Sequence, residues 1–130
     1  MRNGMTENEI SGDVVDAAVK LHQRLGPGLL ESAYEMILAA ELTRRGHKVE
    51  RQVSVSFEYE GMSFNDAFRA DMLVDGQVVV ELKATEQKNP VFPRQLKTYL
   101  VLMKKHLGLL LNFGQAKMVS GIERVVNGYE

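Results

Sequence analysis

Residues 71–83, Asp71-Met-Leu-Val-Asp-Gly-Gln-Val-Val-Val-Glu81-Leu-Lys83, constrain the fold more than any other stretch of the chain. Two apolar runs flank an Asp75-Gly76 turn signal, the pattern of a β-hairpin. Three charged side chains sit on it: Asp71 on the first strand, Glu81 and Lys83 on the second. One reading is a half-exposed hairpin with ordinary charges on its solvated face. The other is a compact site in which two acids and a lysine hold a divalent ion and a water.

The loop length decides which faces these side chains share. Residues i and i+2 of a strand lie on one face, so Glu81 and Lys83 are neighbours while Val78, Val80 and Leu82 point into the core. A two-residue loop at Asp75-Gly76 pairs Asp71 with Val80 and sends it away from Glu81. A three-residue loop, Asp75-Gly76-Gln77, pairs Asp71 with Glu81 through a bulge. We expect this second register, or a compensating bulge. Facing carboxylates repel, and a cation between them relieves that conflict.

Helical and strand periods alternate along the rest of the chain. Ile10, Val14, Ala17, Ala18, Leu21 and Leu25 mark a helix over 7–25, stopped by Gly26-Pro27-Gly28. A second helix is expected over 29–45, burying Leu30, Ala33, Tyr34, Ile37, Leu38 and Leu42. Val49, Arg51, Val53, Val55 and Phe57 share one parity in a strand, followed by a turn at Tyr59-Glu-Gly61. Strands over 64–74 and 77–84 come next. A helix over 94–105 has Pro93 in its first turn and Leu96, Leu100 and Met103 on one side. Leu107 to Phe113 reads as a strand covered on both faces, and 118–126 as a last strand. The predicted order is α-α-β-β-β-α-β-β, a mixed sheet flanked by helices. Residues 1–6 are expected to be a flexible tail and 7–130 a single domain.

Composition narrows the functional classes. The 130 residues contain no cysteine, which removes disulfides and thiolate metal sites. No apolar run reaches the ~20 residues a membrane span requires, and the polar start carries no secretion signal, so the expectation is cytoplasmic. With 16 basic and 17 acidic side chains the formal charge is −1, so no global field attracts nucleic acid. Lys83, Lys88, Arg94, Lys97, Lys104 and Lys105 nonetheless make a local basic excess over 83–105, relieved only by Glu86.

Asp71 followed by Glu81-Leu82-Lys83, on a hairpin between helices, resembles the PD-(D/E)XK nuclease superfamily. Gly28-Leu-Leu-Glu31-Ser-Ala-Tyr34 is similar to the signature of its small GxxExxY branch, and Leu25-Gly-Pro-Gly28 and Ile122-Glu-Arg-Val-Val-Asn-Gly128 fit as well. The resemblance covers roughly residues 7–128. It implies a restriction-endonuclease-like fold and phosphodiester hydrolysis with Mg²⁺, for which Mn²⁺ is the usual substitute. Asp71 and Glu81 would be metal ligands, Lys83 would assist the water, and Glu31 would complete the site from its helix. Glu31 also suits the first turn of a helix without any metal, where a carboxylate meets the dipole. Tyr34 shares that helix face and reads as a core aromatic supporting the site. His22 matches a recurring family position, with a packing role as the alternative. Gln95 and Tyr99, spaced i, i+4, resemble a Gln-x-x-x-Tyr pair that contacts DNA or supports the lysine in related branches. Arg69 would pair with a carboxylate or a phosphate. The chain departs from the family pattern at Val91-Phe92-Pro93, where many members carry a histidine.

The expected function is Mg²⁺-dependent cleavage of nucleic acid, DNA first among the candidates, with a homodimer supplying two sites for a duplex. The alternative is a nucleic-acid-binding or protein-interaction module that keeps the fold without turning over.

Overall fold

A computed structural model describes residues 4–128. The helical period at the start of the chain becomes α1 (Glu7–Leu25). Thr6 caps it reciprocally: the Glu9 amide donates to the Thr6 hydroxyl at 3.1 Å and the Thr6 amide to Glu9 Oε1 at 2.9 Å. Of the tail expected over residues 1–6, residues 1–3 lie outside the described part, while Met5 packs partly buried against the core.

The second helix, α2 (Glu31–Arg44), buries Tyr34, Leu38 and Leu42 as expected. Leu30 and Ile37, also expected inside, are 78% and 38% exposed. Apolar residues run nearly all the way round α2, so periodicity alone does not choose the buried stripe, and Leu30 precedes the first helical turn.

Five strands follow: β1 (Val49–Tyr59), β2 (Met62–Val74), β3 (Val78–Lys83), β4 (Leu107–Asn112) and β5 (Ile122–Val126). They form one sheet in the order β1-β2-β3-β4-β5. Only β3 and β4 run parallel, and α3 (Val91–Met103) makes the crossover between them. The predicted order holds, except that a 3-10 turn over Met118–Gly121 takes the first half of the expected last strand. Helices α1 and α2 cover one face, packing on Met72, Val74, Val80, Leu82, Leu109 and Leu111. Leu96 and Leu100 of α3 cover the other, against Leu73, Val79 and Leu110. All six residues of β4 are buried, as a strand paired on both edges and covered on both faces requires.

Two anchors fix the parts that matter for the site. Tyr34 stacks on Phe113 with ring centroids 4.4 Å apart; its hydroxyl donates to the Gly26 carbonyl and accepts from the Leu29 amide at 3.1 Å. This closes the Gly26-Pro27-Gly28 bend, where Gly26 has φ +73°, and so sets where α2 begins. Replacing Tyr34 by Phe leaves both backbone groups without that partner, and urea unfolding should show a loss of about 1–3 kcal/mol. The second anchor holds the β2–β3 turn. His47 bridges two carboxylates, with Nδ1 2.6 Å from Asp75 and Nε2 2.7 Å from Asp13 on α1, and the Lys48 amide donates to Asp75 at 2.8 Å.

Candidate functional site

The β2–β3 turn is the three-residue one. Val74 pairs with Val78, Leu73 with Val79 and Met72 with Val80, while Asp75 and Gly76 both adopt positive φ. Continuing that register places Asp71 opposite Glu81. At this level the backbone ladder gives way to side chains: the Asp71 amide donates to Glu81 Oε2 at 2.7 Å, and the Leu82 amide donates to Asp71 Oδ2 at 2.9 Å. Each carboxylate thus occupies the place of a backbone acceptor in the gap between two strands.

The strand on the other side is irregular at the same height. Arg51 pairs with Met72 and Val53 with Ala70, so Gln52 stands across from Asp71, with φ +51°. Val49 packs into the core under α1 and α2, whereas Val53 packs under α3. Residues four apart in a regular strand share a face; the left-handed residue between them inverts the parity. This corrects the expectation that Val49, Arg51, Val53, Val55 and Phe57 point one way.

The electrostatics follow from crowding acids in a partly dry place. Glu81 is 6% exposed, and its pKa is raised to about 8, by burial first and then by the neighbouring Asp71, against the pull of the Asp71 amide and Lys83. Asp71 is half-buried and also raised, mainly by burial, with the Leu82 amide opposing. Glu31 is raised by partial desolvation and by Asp71 and Glu35, with Lys83 opposing. Burial disfavours a charged carboxylate and each further negative neighbour adds to that. Lys83 is the cation common to all three, and its Nζ lies 4.6 Å from the centre of the Phe92 ring.

Residues 8–125 match the family model of the PD-(D/E)XK nuclease superfamily. The chain belongs to that superfamily. No curated protein and no solved structure matches it. Nucleases of the superfamily generally use divalent metal ions and act on nucleic acid.

In this PD-(D/E)XK protein, Asp71 and Glu81 meet at the β2–β3 gap, and the Lys83 charge acts on both. Glu31 reaches them from the first turn of α2 through its field. Among the described residues no three His, Cys, Asp or Glu side chains are gathered as a metal-binding group, so Glu31 is not a close third partner of the Asp71–Glu81 pair. The donors present still suit Mg²⁺, a hard ion that is commonly held by one or two carboxylates together with waters and substrate phosphate. Tyr99 stacks on Phe68 with centroids 4.1 Å apart, and its pKa is raised by burial and then by Glu81 and Asp71. Gln95 lies exposed one turn earlier on α3, and Arg69 is exposed on β2. His22 is not brought to the carboxylates: its Nε2 lies 2.9 Å from the Gln115 carbonyl, where it tethers the segment after β4. Tyr34 hydrogen-bonds the bend before α2 rather than any acid. Among the described residues no helix is long and apolar enough to cross a membrane.

Two participants escaped the sequence reading. Glu35, 6% exposed, accepts from Arg51 Nε at 3.0 Å and from Gln52 Nε2 at 2.8 Å. Its i, i+4 spacing from Glu31 was the available signal. Nothing local marks Gln52, whose backbone conformation depends on the neighbouring strand.

Proposed function

We propose that this protein is a metal-dependent phosphodiester hydrolase acting on nucleic acid, in the GxxExxY branch of its superfamily. The observation that carries the reading is the desolvated pair Asp71 and Glu81, held side by side within reach of the field of Lys83. Two acids kept together at a cost in charge repulsion make chemical sense when a cation joins them. Asp71 and Glu81 are the ligands, Glu31 is the auxiliary acid, and Mg²⁺ is the physiological ion, with Mn²⁺ as a substitute.

The bound ion would supply an acidified water and neutralise charge on the scissile phosphate. The chain's own groups do the rest. Asp71 and Glu81 are fixed by backbone amides, so receiving a cation would cost Glu81 its proton rather than a rearrangement. Lys83, a point charge whose ammonium lies over the Phe92 ring, orients the water and stabilises the negative charge that grows on the phosphoryl oxygens. Tyr99 shields the acids from α3, and Gln95 and Arg69 offer polar contacts for the substrate. DNA is the first substrate to test, a homodimer is the form suited to cutting both strands, and the cytoplasm is the proposed compartment.

The experiment is cleavage of single- and double-stranded DNA and RNA with Mg²⁺ or Mn²⁺, repeated with chelator and with Asp71→Ala. Ion-dependent nicking that the variant lacks is the expected result. An absence of cleavage in every substrate, with wild type and variant behaving alike, removes the enzymatic reading and leaves the binding module.

A further inference from the structure

We propose that Gln52 is a positioning residue, strained into the left-handed region so that its side-chain amide spans Glu35 and Asp71 and sets the orientation of the Asp71 carboxylate. The consequence for catalysis rests on the nuclease reading above; the orientation itself does not.

The backbone is the first ground. Among the described residues, five other than glycine have positive φ: Gln52, Glu60, Asp66, Asp75 and Lys104. Glu60 and Asp75 occupy hairpin turns and Lys104 ends α3, where left-handed residues are usual. Asp66 lies in the register shift of the β1–β2 ribbon. Gln52 alone is flanked on both sides by paired residues of one unbroken register, directly across from Asp71. A residue with a Cβ is strained in this region, and glycine would avoid that strain. Backbone geometry therefore does not ask for glutamine here.

The side chain is the second ground. Gln52 Nε2 donates to Glu35 Oε1 at 2.8 Å, and the other Glu35 oxygen accepts from Arg51 at 3.0 Å. Glu35 is buried, and none of the proposed chemistry uses it; what it does is pin the amide. The second proton of that amide is left over, and Asp71 stands directly across the ladder from Gln52 to accept it. Asp71 is in turn the acceptor for the Leu82 amide, one residue from Glu81. With that one proposed contact, the hydrogen bonds of Glu35 on α2 and of Leu82 on β3 join into a single run across β1 and β2. Carboxylate donors whose orientation is set by such outer partners bind metals more tightly.

The test uses Gln52→Gly, which keeps the left-handed backbone and removes the amide, and Gln52→Asn, which tolerates the same φ but has a shorter reach. Three quantities are measured on the purified protein: amide hydrogen exchange along β3, Mn²⁺ affinity by calorimetry, and the urea midpoint. In both variants the Leu82 amide should exchange about tenfold faster while Val79 and Val80 stay unchanged. Mn²⁺ binding should weaken about 10- to 100-fold, and the urea midpoint of the glycine variant should stay near that of wild type, relief of the left-handed strain offsetting the hydrogen bond lost at Glu35. An unchanged Leu82 rate, a faster rate shared with Val79 and Val80, or unaltered Mn²⁺ affinity each overturns the proposal. A wild type that binds no Mn²⁺ sinks the nuclease reading instead, and Leu82 exchange alone then decides whether Gln52 orients Asp71.

Discussion

In the absence of divalent ions, Glu81→Gln is expected to be more stable than the wild type at pH 8 and equal to it at pH 4. The Glu81 carboxyl, raised from 4.5 to about 8 in the fold, holds its proton in the native state while the unfolded chain has already released it. Below 4.5 both states are protonated and nothing is lost. As pH climbs from 4.5 to about 8 the native state binds more protons than the unfolded one, so stability falls through that window. Asp71, raised in the same direction, steepens the fall in both proteins. Glutamine mimics the protonated acid and keeps an oxygen to accept from the Asp71 amide. Its advantage therefore grows with pH to a few kcal/mol, the order expected for a shift of this size at a buried carboxyl. Urea titrations at a series of pH values with chelator measure it directly. Adding Mg²⁺ at pH 8 should stabilise the wild type by mass action and leave the variant almost unmoved. If the wild type proves the more stable at pH 8 without ions, Glu81 is not the strained acid described here.

Lys83→Met separates charge at the reacting phosphate from charge at the ion. Methionine keeps an unbranched side chain beside Phe92, so the fold should lose the cation–π contribution, about 0.5–1 kcal/mol, together with the charge balance Lys83 gives Asp71 and Glu81. Removing a preorganised positive group from a developing oxyanion typically costs 10²–10³ in kcat, about 3–4 kcal/mol. At alkaline pH, where the acids ionise readily, Mn²⁺ affinity should hold or rise, because the ammonium that favours the charged form of Glu31, Asp71 and Glu81 also repels a cation. Single-turnover cleavage together with calorimetric Mn²⁺ titration reads both effects. Undiminished cleavage would show that Lys83 takes no part in the chemistry.

Much of this arrangement is local and can be read from the chain. Helix α1 follows from apolar spacing and the Thr6–Glu9 cap, and β4 from an uninterrupted apolar run. The order of elements follows from where the period changes between them. The Asp71, Glu81, Lys83 constellation is visible too, since a turn signal between two apolar runs puts the acids on neighbouring strands, although the loop register decides whether they face each other. Where the reading went astray, the deciding force came from elsewhere in the molecule. Leu30 and Ile37 looked like core, but the angle at which α2 meets the sheet selects Tyr34, Leu38 and Leu42 instead.

Period and turn chemistry act over a few neighbouring residues, so the elements, their order and the charged side chains at the hairpin can be read along the chain. How those charges face one another depends on segments far apart in it. The hairpin loop takes its three-residue form with Asp75 bound by His47 and the Lys48 amide, partners 28 and 27 residues away. The parity of β1 inverts at Gln52, an inversion that matters only because β2 presents Asp71 at the same height. Glu35 becomes part of the site once α2 lies against β1. Such choices are made by hydrogen bonds and burial between distant segments, which exist only after the chain has closed on itself.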